Sequence, residues 1–444
     1  MKNAIITCLI AGAACGIANA GTVGPDVIVG DMPNVQYYGQ VGNIRAYSVA
    51  TTSCNIGDET LDWIDNSNRH PVIAQTIYRV AADGSRIEQL GQSWLKHGFA
   101  ALAGNVCDTC QNPGTFSQLG IGCSDPYSSG LNGSQSNLGT KTEINAFNGF
   151  YNWPFGGRGQ TGNQIFKRIQ VSVDDMTAGG FYFVGSQYVT PDDAAAGNQN
   201  NNSSYRPVNV NGTSISTTSF TRREQSPIYA WKQINDDVDI QQVFVPDEGM
   251  FELATLVTDN GDGTWTYEYA LRNMSSHRSA DSFGIPNAGD ESGSFKDVPY
   301  HSGDAYSGTD WTTSDVGGML TYAAADDGVN TNALRWGTMY NFSVTTDTEP
   351  TTGDVEIGLF RTAFGGLNSS EVVAVSTSVP SAGTAGCNAA DNSEPFGVLD
   401  LADVQGFIAA FTGQGPAADI AAPFDVWDLA DVQAFIAEFT GGCP

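Results

Sequence analysis

Eight acidic residues near the end of the chain carry its clearest candidate chemistry. They are Asp391, Glu394, Asp400 and Asp403, followed by Asp419, Asp425, Asp428 and Asp431. Both sets lie in short stretches of turn-forming residues. Calcium is a hard cation that takes about six to eight oxygen ligands, and a turn with spaced carboxylates supplies such oxygens. The eight acids are therefore candidate calcium ligands. The alternative is a metal-free helical hairpin held by apolar packing and a disulfide between Cys387 and Cys443.

The elements that must position these acids are written twice. AADNSEPFGVLDLADVQGFIAAF runs from Ala389 to Phe411, and AADIAAPFDVWDLADVQAFIAEF runs from Ala417 to Phe439. In each copy a helix follows the acids. Val404, Phe407, Ile408 and Phe411 fall on one helical face, as do Val432, Phe435, Ile436 and Phe439. Two short helices bury little alone, so they should pack on each other. Gly413, Gly415 and Pro416 end the first.

This loop-then-helix duplication, with Cys387 before it and Gly442-Cys443-Pro444 after it, resembles a dockerin of the GC type. The resemblance covers roughly residues 387–444. It implies a paired half-EF-hand fold, calcium in the loops and a protein partner, cohesin-like or another surface protein. Two features differ from the family pattern. The span from Asp391 to Asp403, and from Asp419 to Asp431, is one residue longer than usual. Leu401-Ala402 and Leu429-Ala430 replace the family's partner-contacting hydroxyl pair.

Residues 1–20 read as a signal peptide, with Lys2, an apolar run and Ala18-Asn19-Ala20 as the cleavage site. The expected location is therefore secreted, extracellular or at the cell surface. The apolar run is too short to span a membrane, and no later segment is long enough. Beyond the leader lie Cys54, Cys107, Cys110, Cys123, Cys387 and Cys443. An even number in an oxidising compartment points to disulfides. Cys107-x-x-Cys110 also admits a zinc half-site or a redox pair, and the sequence leaves three pairings open among the first four. The formal net charge is −29, which argues against nucleic acid and anionic membrane surfaces as partners.

The body reads as mainly β, one or two sandwich-like domains followed by the small α-helical module. Alternating stretches at Ile169–Val173, Phe181–Val184, Gln241–Val245, Phe251–Thr258, Thr264–Leu271, Asn341–Thr345 and Glu371–Thr377 predict strands. Asp259–Gly263 predicts a hairpin turn. One helix is expected at Trp94–Leu102. We divide the chain into a cysteine-containing β-domain at 21–240, a β-sandwich at 241–380, a linker at 381–386 and the tail module. Thr264–Pro286 and Asn332–Val344 resemble segments of secreted bacterial β-sandwich proteins.

Other chemistry in the body is sparse. His70 and His97 could form a metal or general-base site, but no ligand spacing supports it. His277 and His301 sit among polar turn residues and read as structural. No serine sits in an elbow motif. The pairs Asp174-Asp175, Asp192-Asp193, Asp236-Asp237 and Asp326-Asp327 read as turns and surface charge, because neighbours on a strand point to opposite faces. Tyr151, Trp153 and Phe155 would share one face of an extended segment. The reading is a secreted non-catalytic attachment or assembly protein, anchored through its tail. The alternatives are a secreted hydrolase, perhaps polysaccharide-directed, or a carbohydrate-binding protein, so a glycan stays among the candidate ligands.

Overall fold

The structure is a computed structural model that describes residues 23–288, 293–298, 304–315, 318–381, 388–393, 396, 398–424 and 426–443. The expected signal peptide, most of the expected linker, and Glu394, Asp425, Cys387 and His301 lie outside the described residues. The described chain is mainly β, with two longer helices at its end. Every strand pairing in it is antiparallel, as hairpin-rich, turn-punctuated sequence favours.

Before residue 239 the largest sheet centres on Val72–Val80. This strand pairs with Phe181–Val189, Ile87–Gln92 and Leu95–His97. Ser203–Asn211 and Ser214–Thr217 extend one side, and Leu138–Gly139 the other. Two three-stranded sheets pack beside it. One contains Val27–Asp31, Thr51–Asn55 and Ser124–Tyr127, and the other Val35–Val41, Ile44–Val49 and Ile169–Ser172. Cys54–Cys107 and Cys110–Cys123 form disulfides that pin the long loop between His97 and Ser124.

From residue 239 onward two five-stranded sheets face each other. One holds Asp239–Phe244, Met250–Asp259, Trp265–Asn273, Met339–Thr346 and Ser294–Lys296. The other holds Thr312–Asp315, Met319–Ala323, Ala280–Pro286, Pro350–Leu359 and Val372–Pro380. Alternation explains how the first sheet serves two cores. Phe251, Leu253, Tyr267, Tyr269 and Leu271 point into the sandwich. Ala254, Leu256 and Ala270 point the other way and pack on Tyr78, Ile87, Phe183 and Trp231 of the preceding sheets. The two halves thus share a buried apolar cluster.

One expected element is different. Trp94–Leu102 is not a helix, because Leu95–His97 is a strand between Val72–Val80 and Leu138–Gly139. The Gly98 amide donates to Pro71 O at 2.9 Å, and a Cβ on Gly98 would crowd the Trp63 ring. Burial of Leu95, Lys96 and His97 between two neighbours outweighs local helix propensity.

Candidate functional site

The tail has two helices, Leu401–Gly413 and Leu429–Gly441. Their starts are built identically. The carboxylates of Asp400 and Asp428 cap the helices by accepting from the amides of Ala402 and Ala430, at 2.6 and 2.7 Å. Asp403 and Asp431 close each capping box and reach further back. Asp403 accepts from the amides of Asn392, Ser393 and Asp400, all at 2.9 Å. Asp431 accepts from Ile420, Ala421 and Asp428, again at 2.9 Å. Each buried carboxylate therefore folds its loop onto its helix.

The helices meet through Phe407 and Phe435, whose rings stack at 4.1 Å. Ala390, Ala418, Val404, Phe411, Val432 and Phe439 complete the small core. Apolar residues remain in pairs on the surface. Leu401 and Leu429 are each 68% exposed, and Ile408 and Ile436 are 55% and 54% exposed. The near-equal values reflect the duplication. Between the helices runs a groove of about 260 Å³ lined by Val404, Phe407, Ile408, Val432, Phe435 and Ile436. All of these side chains are apolar.

Four of the eight expected calcium ligands, Asp400, Asp403, Asp428 and Asp431, accept from backbone amides in this structure. Asp403 and Asp431 would be the closing ligands, yet three backbone N–H groups converge on each. Asp400 and Asp428 cap the helices. Asp391 is buried, with the Cys443 sulfur 3.9 Å from its Oδ2, and Asp419 follows the turn at Pro416–Ala418. Among the described residues no group of three or more His, Cys, Asp or Glu side chains is placed to hold a metal ion. Cys443 is disulfide-bonded, while Cys387 lies outside the described residues.

In the body, His70 and His97 are brought together. Pairing of Val72 with His97 across neighbouring strands places His70 Nε2 3.0 Å from His97 Nδ1. His70 Nδ1 lies 3.1 Å from the carbonyl of Ile64, which only accepts, so Nδ1 holds the proton. Burial pushes both imidazoles well below their usual range, so both are neutral. His97 Nδ1 must then donate to His70, and His97 Nε2 is left as a bare lone pair. Nε2 has no partner among the described residues. A ring held so far from protonation is a poor general base, though it can accept a hydrogen bond. Tyr151, Trp153 and Phe155 all contact His97, and Phe155 stacks on it at 3.8 Å. They converge without forming a strand.

The remaining candidates are dispersed. Asp193 accepts from the Val27 amide and Asn202 Nδ2, and burial pushes it up to about 8. Asp192 holds the Asp62 amide. Asp174 and Asp175 start a short helix capped by Ser172. These acids tie segments together. Glu248 accepts from the backbone amide of His277, whose ring burial pushes down to about 4. Lys96, which the sequence gave no reason to single out, lies buried beside His97.

No protein-family model matches the chain, and no curated protein matches it either. Solved structures give only distant likeness. A complex of the Amycolatopsis orientalis exo-chitosanase CsxA is 9% identical with a TM-score of 0.17, covering 78% of this chain and 26% of that one. The chain thus spans about a quarter of that enzyme's length. The serine-rich repeat adhesion glycoprotein Srr1 of Streptococcus agalactiae is 8% identical with a TM-score of 0.21, covering 79% of this chain and 97% of that one. At these scores neither carries an argument about function.

Proposed function

We propose that the chain is a secreted, non-catalytic β-protein held on a protein partner through its two tail helices. The reading is carried by the duplicated apolar groove, with Ile408 and Ile436 more than half exposed along it. Such a paired apolar ridge is costly to leave in water and is the anatomy of a docking face. The tail module is rich in acids, and no Lys or Arg follows Arg361. The complementary partner is thus a protein face with an apolar centre and a basic rim. Two disulfides support an extracellular setting.

The docking reading rests on the apolar groove and holds with or without calcium in the loops. The test uses the full chain with a photo-crosslinker at position 408. A discrete partner whose crosslinking disappears with Ile436→Glu supports docking. Crosslinks to a second copy of the chain, or crosslinking that survives Ile436→Glu, would refute it.

A further inference from the structure

Three lysines of the body are almost wholly buried, and they differ in one respect. Lys167 Nζ is held by four backbone carbonyls, of Gln135, Leu138, Gly157 and Gln160, at 2.6–3.1 Å. Lys141 Nζ donates to Gln92 Oε1 at 2.6 Å and reaches Gly337 O at 3.4 Å. Lys96 is 3% exposed, and its Nζ has no hydrogen-bond acceptor or ion-pair partner among the described residues. Its nearest company is the faces of Phe99 and Tyr127, at 4.9 and 5.8 Å. Lys96 thus turns an ammonium with no acceptor among the described residues onto the cavity it lines, where an anionic ligand can reach it. Burial indeed pushes Lys96 down to about 8, so it remains largely charged at neutral pH.

Lys96 lines a cavity of about 420 Å³ with His97, Phe99, Trp153, Phe155 and Arg158. That volume accommodates one or two sugar rings. Arg158 is exposed at the mouth, 4.9 Å over the Trp153 ring. Phe99 and Trp153 offer faces for stacking. Asp65 also lines the cavity; its carboxylate accepts from the amide and Nδ2 of Asn66, both at 2.8 Å, and its charge partly offsets that of Lys96. Lys96 and Arg158 against this one carboxylate leave the aromatic-walled cavity net positive in a chain of formal charge −29, which suits an anion.

We infer that this cavity binds an acidic sugar unit. The aromatic rings stack on the pyranose, Lys96 Nζ takes the acidic group from within, and Arg158 takes it from the mouth. A uronate carboxylate and a sulfate ester share this chemistry. The inference is independent of the tail and of any docking partner.

The test is calorimetric titration of the full chain at low salt with trisaccharides of glucuronate, galacturonate and mannuronate, with sulfated galactose trisaccharides, and with the neutral parents. The expected result is that at least one acidic sugar binds, with its neutral parent about tenfold or more weaker. The uronate and sulfate arms identify which acid is read. Lys96→Met should remove most of the affinity. Arg158→Ala, at an exposed position that leaves the fold intact, should weaken it several-fold. Absence of binding by every acidic sugar, equal binding of the neutral parents, or unchanged affinity in Arg158→Ala together with Lys96→Met would overturn the inference.

Discussion

Arg272 is the residue on which the union of the two body halves can be tested. It lies on the face of Trp265–Asn273 that turns away from the sandwich core. There its side chain is 2% exposed and pairs with Glu252, 3% exposed, at 2.8 Å. Its second terminal nitrogen donates across the junction to Gln187 Oε1 at 2.9 Å and Ser203 Oγ at 3.1 Å. Arg272→Met keeps most of the volume and removes the charge. Glu252 then keeps only the Ser226 hydroxyl at 2.6 Å, and Gln187 and Ser203 lose a donor. Breaking a buried pair from one side costs about 3–5 kcal/mol, because the remaining charge is stranded. Adding Glu252→Gln removes that stranded charge and should restore more than about 1 kcal/mol of the loss. The assay is urea unfolding followed by tryptophan fluorescence, with Trp63 reporting one half and Trp265 and Trp311 the other. A single shifted transition is expected. A loss under about 1 kcal/mol, or no rescue by the second substitution, would refute the reasoning.

Three further outcomes follow from the same geometry. His97 is buried neutral, with its folded pKa below the unfolded value of about 6.5, so the folded state binds fewer protons. Its stabilising share is full above that pH and is lost as pH falls through it. His97→Phe should therefore lose less stability than wild type between pH 7 and 5, by up to roughly 1.4 kcal/mol per pH unit in thermal melts. Asp403→Ala frees three amides and should speed hydrogen exchange in Leu401–Gly413 about 10–100-fold, whereas EDTA should leave that exchange unchanged. Replacing Cys54 and Cys107 together with serine opens a long loop and should cost about 2–4 kcal/mol in urea unfolding.

Much of the fold was legible because period-two alternation is a local signal. The stretches at 251–258, 264–271 and 341–345 are strands at nearly the expected places, and Asp259–Gly263 is the turn between two of them. The tail helices were equally plain from their apolar spacing. Long-range pairing was not local, and it decided the rest. It turned Leu95–His97 into a strand and brought together His70 and His97, which share no motif spacing. It also split Cys107-x-x-Cys110 between two disulfides. The backbone amides gathered on Asp403 and on Asp431 were not legible either, because spaced carboxylates look alike in sequence whether they face a cation, backbone amides or both. Lys96 carried no sequence signal, because its meaning lies in the acceptors its two fellow buried lysines have and it lacks.

The most direct test of docking is the affinity of the crosslinked partner, once purified, for the full chain and for Ile408→Glu/Ile436→Glu. Burial of the two isoleucines should contribute at least about 3 kcal/mol together, so the double variant should bind roughly 100-fold more weakly or worse. Hydrogen exchange in both tail helices should stay at the wild-type rate, since these side chains already face solvent. Equal affinity of the two proteins for the partner, with the helices intact, would contradict the account.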